Sequence, residues 1–158
     1  MKIKNVLILN LLIFFLQSTI MQYFRIVTII PNLNLIIIVI LVIYFDLTTT
    51  MIYAVVAGLL QDLFLSPYIG INIFIYLITS LTIINFESVF NKVSIISPIF
   101  LITIATSLYN LLFFIFIKIM NLDYGIYRLF DIAIVEIILN MIWIMIIYKF
   151  VQKKIVER

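Results

Sequence analysis

Cysteine and histidine are both missing from this 158-residue chain. Without cysteine there is no disulfide, no thiol nucleophile and no thiolate metal site. Without histidine the usual general base, proton switch and zinc ligand go as well. Charge is scarce too, at 11% of residues, and glycine and proline number three each. The net charge of +3 gives no argument for a nucleic-acid partner, and none is expected. In a chain with so few charges, where they fall along the sequence is more informative than their sum.

What fills the chain is hydrocarbon. Hydrophobic residues make up 66% and the mean hydropathy is +1.35, far outside the range of soluble domains. A soluble domain of this length could not hide that much apolar surface, so the bilayer must be the solvent. The length suits one domain, and the whole of 1–158 reads as a single transmembrane domain.

A helix needs roughly 20 apolar residues to cross a hydrocarbon core of ~30 Å. Six segments qualify or nearly so: Asn5–Phe24, Asn32–Phe45, Leu47–Leu65, Ile69–Phe86, Val93–Met120 and Leu129–Phe150. The runs are continuous and do not alternate, which favours helices over a barrel. The expected fold is an all-α integral membrane protein, a bundle of six transmembrane helices. The second segment is short and follows Pro31, whose missing N–H is tolerated at a helix start. The fifth is long and must tilt or project.

Six crossings place Lys2, Lys4, Lys92, Lys149, Lys153, Lys154 and Arg158 on one side, and only Arg25, Lys118 and Arg128 on the other. The excess of basic residues marks the cytoplasmic side, so both termini are expected in the cytoplasm. The N-terminal run has the basic start of a signal peptide. No small-residue cleavage site follows in "FFLQSTIMQYF", so it is expected to stay as the first helix. Connections are minimal: Asp46, about "ESVFNK", and "NLDYGIYR" at 121–128.

Polar residues within such segments are expensive and therefore informative. On helical wheels they form seams. Asn10 and Gln17 share a face of the first helix, and Ala54, Gly58 and Asp62 recur every four residues on the third. Asn72, Tyr76 and Ser80 do so on the fourth. Thr103, Ser107 and Asn110 line the fifth; Glu136, Asn140 and Trp143 line the sixth. These seams should turn inward, as glue between helices or as the wall of a ligand or ion path. Glu136 reads either as part of such a path or as the partner of Arg25, Lys118 or Arg128. Leu35–Phe45 carries no small or strongly polar residue, which places the second helix at the periphery, facing lipid or a partner.

The stretch "AGLLQDLFLSPYIG", residues 57–70, gathers a carboxylate, a proline and two of the three glycines within fourteen residues. Ala54 and Gly58 would let two helix backbones approach closely. Gly70 permits a turn that side chains would block, and Pro67 stiffens the connection. Asp62 could accept hydrogen bonds from the N–H groups that open the next helix, where negative charge is favoured. That leaves two roles open for it: pinning a helical hairpin, or presenting that hairpin to a partner's helix.

With "IPNLNLIIIVILVIY" before it, the passage "AGLLQDLFLSPYIGINIFIYLI" resembles the MreD family of small membrane proteins in the bacterial rod-shape machinery. The carrying residues are Pro31 opening a short span, the Gly-x-x-x-Asp pair Gly58 and Asp62, Gly70 starting the next helix, and Tyr76 after it. The resemblance implies a non-enzymatic scaffold without cofactors, in the bacterial cytoplasmic membrane. Its expected partners are the transmembrane helix of MreC and, indirectly, MreB filaments, the synthase RodA and a class B penicillin-binding transpeptidase. Loops this short point to recognition inside the membrane, and the tail "YKFVQKKIVER" suits anionic lipid.

Two other functions compete. The S-component of an energy-coupling-factor vitamin transporter is similar in architecture, but a vitamin site needs several convergent polar groups. An intramembrane enzyme or ion carrier would need a nucleophile–base arrangement, and none is visible in the sequence.

Overall fold

Asn32 closes the turn that begins the shortest helix, its side chain accepting a hydrogen bond from the Leu35 N–H at 3.3 Å. Around that helix the computed structural model, which describes residues 2–26, 28–66, 68–87, 94–121 and 126–156, is wholly helical. Its helices are α1 (Ile3–Ser18), α2 (Leu33–Tyr44), α3 (Leu47–Leu65), α4 (Ile71–Glu87), α5 (Ile96–Ile119) and α6 (Ile126–Val156), with a 3-10 helix over Ile20–Phe24. Three reach the length and apolarity needed to cross a membrane: Leu47–Leu65, Ile96–Ile119 and, within α6, Asp131–Lys153. The other three are apolar and shorter. Pro67, Lys92, Asp123, Arg128, Lys154, Arg158, most of "ESVFNK" and the structure and contacts of "NLDYGIYR" beyond its first residue lie outside what is described, save the backbone of α6 from Ile126.

Local chemistry sets the ends. Asp46 caps α3 through the Thr49 N–H (2.9 Å) and hydroxyl (2.8 Å). Asn121, at φ 54°, follows α5 in the left-handed conformation common after helices. Pro98 sits in the first turn of α5, where its missing donor costs nothing. The first segment is expected to run to Phe24 as one helix but stops at Ser18. There the hydroxyls of Ser18 and Thr19 both donate to the Phe15 carbonyl, competing with the helical pattern, and the chain tightens into the 3-10 turn.

The expectation for α2 is overturned. Every residue from Leu33 to Ile43 is buried, and α2 touches each of the other five helices. It is the axle of the bundle. In water, apolarity sorts helices inward, whereas lipid tails are as apolar as leucine and exert no such preference. Packing and the polar groups at its N-terminal end decide the place of α2 instead.

Around the axle, α3 packs on α1 and α4, α4 on α5, and α5 on α6. The outer surface is apolar, with Leu11, Phe15, Leu63, Phe74, Leu111, Ile138 and Phe150 among its exposed large side chains.

Candidate functional site

A helix start leaves its first N–H groups without partners inside the helix. At membrane depth they have no water to turn to, so protein must satisfy them. Two such starts, those of α2 and α4, lie at the same end of the bundle, and the buried amide and carboxylate side chains, Asn10 apart, gather there.

The α4 start is served by Asp62. Its Oδ2 accepts from the N–H groups of Gly70 (2.8 Å) and Ile73 (3.3 Å). Its Oδ1 accepts from the backbone N–H of Asn72 (3.0 Å) and from the Asn72 side-chain amide (2.8 Å). Gly70 can meet the carboxylate because its φ is +101°, a backbone shape that L side chains rarely adopt. One turn before Asp62, a Cβ on Gly58 would lie 2.5 Å from the Ile73 Cα and 2.6 Å from its nitrogen. Ala54 and Asp62 are buried on the same stripe. The stripe is thus covered by α4 of the same chain.

The α2 start is served from α1 and α6. Gln17 donates to the Pro31 carbonyl (3.0 Å) and accepts from the Leu33 N–H (2.8 Å). Asn140 accepts from the Asn32 N–H (2.7 Å) and donates to the Thr106 hydroxyl (2.9 Å). The Pro31 ring precedes the cap, and its carbonyl is what Gln17 holds.

Aromatic hydroxyls join the two starts. Tyr76 donates from α4 to the Asn32 side chain (3.2 Å) and reaches Gln61 on α3. Tyr109 on α5 donates to Asn72 (2.7 Å) and stacks on Tyr76 with ring centroids 5.5 Å apart. Tyr53 donates to Asn34 (3.1 Å), which in turn donates to Gln61 (3.3 Å). On α6, Glu136 accepts from Asn110 at 2.8 Å.

Most of the residues singled out in the sequence belong to this end of the bundle or to the stripe beneath it. Asn10 does not. It is buried on α1 and donates only to the Val6 carbonyl of its own helix (3.1 Å). Glu136 pairs with neither Arg25 nor Lys118, and among the described residues it has no cationic partner; Lys118 lies near the Phe114 ring instead. On α5 the expected seam is rotated. Ser107 is exposed, Thr103 and Asn110 are half-buried, and Thr106, which the seam left out, is buried. Trp143 is half-buried against Phe24 (centroids 5.0 Å apart) and makes no part of the network.

Sequence reasoning passed over Asn32, Asn34, Gln61, Tyr53, Thr106 and Tyr109. The signal for the first two was available: "PNLN" sets two amides beside a proline at the mouth of an apolar run.

Beside the α2 start lies a partly open cleft of ≈ 250 Å³, lined by Gln17, Asn32, Gln61, Tyr109, Ile132 and Glu136 together with residues 28–30. Among the described residues no group of three or more acidic or thiol ligands is placed to hold a metal ion.

A wholly helical chain, apolar outside and tied together inside by amides, hydroxyls and carboxylates, is a membrane protein. Over residues 2–154 it matches the model of the family described as rod shape-determining protein MreD, and the chain belongs to that family. Its role therefore lies in the determination of rod shape, within a family of structural membrane proteins. No curated protein and no solved structure matches it.

Proposed function

We propose that the protein is a non-enzymatic scaffold of the bacterial cell-elongation machinery, seated in the cytoplasmic membrane as one six-span domain over 1–158. Its transmembrane surface binds the MreC membrane helix. Through MreC it couples MreB filaments to the peptidoglycan synthase RodA and a class B penicillin-binding transpeptidase.

The observation that carries this reading is where the polar atoms are. They are spent within the bundle, on the backbone of α2 and α4, while the surface left for partners is hydrocarbon. Such a surface meets another protein by close packing of helices within the bilayer. The Ala54–Gly58–Asp62 stripe lies under α4, so the contact falls to outward faces such as those carrying Leu11 or Ile138.

Six crossings are compatible with the short helices. With 12 residues, α2 is roughly 18 Å long at 1.5 Å per residue. A helix ringed by protein need not span the lipid itself, and non-helical backbone at membrane depth is tolerated where protein buries and satisfies it. Gln17 and Asn140 do that for residues 31–33. The distribution of lysine and arginine then favours cytoplasmic termini. A vitamin-transporting S-component gains no support from the cleft lined by described residues, which at ≈ 250 Å³ is smaller than the roughly 300–1,000 Å³ of sites for drug-sized ligands.

The test is depletion in a rod-shaped host with photo-crosslinkers placed along the bundle. Cells should round and lyse, with rescue by the wild-type chain. Crosslinks to MreC should form from Leu11 or Ile138 and be absent from Ala54. Unchanged shape on depletion, or MreC captured only through polar loops, would sink the proposal.

A further inference from the structure

Five helices surround α2, and among the described residues they form a ring that does not close. α1 packs on α3, α3 on α4, α4 on α5 and α5 on α6, whereas the backbones of α1 and α6 approach α2 but not each other. The groove between them is stopped at one end by the 3-10 helix, where Phe24 lies against Trp143 with ring centroids 5.0 Å apart. Its other end is the one at which α2 finishes. Gln17 and Asn140 meet the start of α2, and Tyr44 at its finish stacks on Tyr148 of α6 (5.7 Å). Lys2 and Lys4 at the head of α1, with Lys149 and Lys153 on α6, therefore stand at this open mouth, all four exposed.

Helical spacing says which side chains wall the groove. On α6 Trp143 marks the flank, and Ile146 and Phe150 follow it three and seven residues on, both exposed. On α1 Phe14 turns to Phe64 of α3 (5.5 Å). The opposite flank of α1, with Leu9, Leu12 and Leu16 in steps of three and four, therefore borders the groove. Its floor is α2, where no residue from Leu33 to Ile43 is more than 8% exposed. A floor so nearly covered makes the groove shallower than the about 10–12 Å width of a helix with its side chains. It suits an acyl chain, which is thinner and bends to the walls.

Charge at the mouth selects the headgroup. In sequence the two ends bring Lys2, Lys4, Lys149, Lys153, Lys154 and Arg158 against one acidic side chain, Glu157. α1 begins without a side-chain cap at Lys2 and without an acidic residue in its first turn, and a helix start of that kind favours an anion. Basic groups on both banks of the groove match two phosphates better than one, and basic pockets between membrane helices bind such headgroups. We propose that the groove between α1 and α6 holds an anionic phospholipid with two phosphates, of the diphosphatidylglycerol class. Its phosphates sit at Lys2, Lys4, Lys149 and Lys153, and an acyl chain lies between Leu12 and Ile146. The lipid closes the ring around α2 and leaves the faces of Leu11 and Ile138 free.

The experiment uses the full chain in phosphatidylcholine nanodiscs that carry diphosphatidylglycerol or phosphatidylglycerol at equal phosphate, with retained lipid read by native mass spectrometry. Diphosphatidylglycerol should be retained about tenfold or more over phosphatidylglycerol. Lys149→Gln combined with Lys153→Gln should lower that retention about tenfold or more. Lys118→Gln should leave it as it is, because Lys118 lies at the opposite end of the bundle, where Phe116 meets Phe74 near the start of α4. Ile146→Trp keeps every charge and fills the groove, so it should lower retention too, which a merely basic surface would not show. A photo-crosslinker at Ile146 should capture lipid. Equal retention of the two lipids, or none of either, would overturn the proposal. So would retention indifferent to Ile146→Trp, or capture of a second copy of the chain at Ile146.

Discussion

Gly58 on α3 and Ile73 on α4 are so close that a methyl group on the glycine would stand 2.5 Å from the Ile73 Cα. The obstacle is backbone, which cannot rotate aside as a side-chain tip can. Two helices meet here at a distance that only glycine permits, and the meeting places the Asp62 carboxylate over the first turn of α4.

Gly58→Ala should therefore force α3 and α4 apart. The expected loss is about 1–3 kcal/mol from overpacking, with a larger loss for Gly58→Leu. Melting of the purified protein in nanodiscs measures it, and rod-shape complementation should fail in the same order. A Gly58→Ala protein as stable as wild type would refute the close contact.

Asp62→Asn replaces an acceptor oxygen with an amide that donates, facing N–H groups that also donate. Each buried group left unmatched costs about 1–3 kcal/mol. Asp62→Asn should be destabilised nearly as much as Asp62→Ala, although it is the closer isostere. A double-mutant cycle with Asn72→Ala should show coupling of at least about 0.5 kcal/mol, because the two side chains share a hydrogen bond.

Gly70→Ala tests backbone shape alone. No atom lies within 4 Å of where the new Cβ would go, so sterics with the rest of the protein are absent. The φ of +101° should still cost about 1–3 kcal/mol. A lowered melting temperature with unchanged helix content is the expected result, and no change would argue for a different turn.

Tyr76→Phe keeps the ring against Tyr109 and removes only the hydroxyl that joins Asn32 to Gln61. A loss of about 0.5–1.5 kcal/mol is expected for this link. Tyr53→Phe, which removes a single bond to Asn34, should cost less.

Asp46 supplies a pH dependence. The Thr49 hydroxyl, then the Thr49 backbone N–H, hold its carboxyl below the usual carboxylate range. A lowered folded-state pKa contributes stability that is present above the unfolded value and lost as pH falls through the folded one. Acid melting curves should therefore lose a small increment below the ordinary carboxylate pKa. Asp46→Asn, which retains a cap acceptor, should remove that increment.

The order of residues by itself determined the solvent of this protein, the helical class and the rough places of all six helices, because apolar run length and the need to satisfy backbone groups in lipid are local properties of a chain. The seams on α3 and α4 were equally legible, since a spacing of four puts Ala54, Gly58 and Asp62 on one face whatever they face. Only the tertiary structure decided which helix is central. Nothing in "LIIIVILVIY" distinguishes a helix surrounded by protein from one surrounded by acyl chains, for the two environments are alike to an isoleucine. It also decided that Gln17, Asn32 and Asn140, 123 positions apart at the extremes, serve one helix start. Hydrogen bonds between distant residues depend on where helices end in space, and a wheel drawn for each helix separately carries no such information.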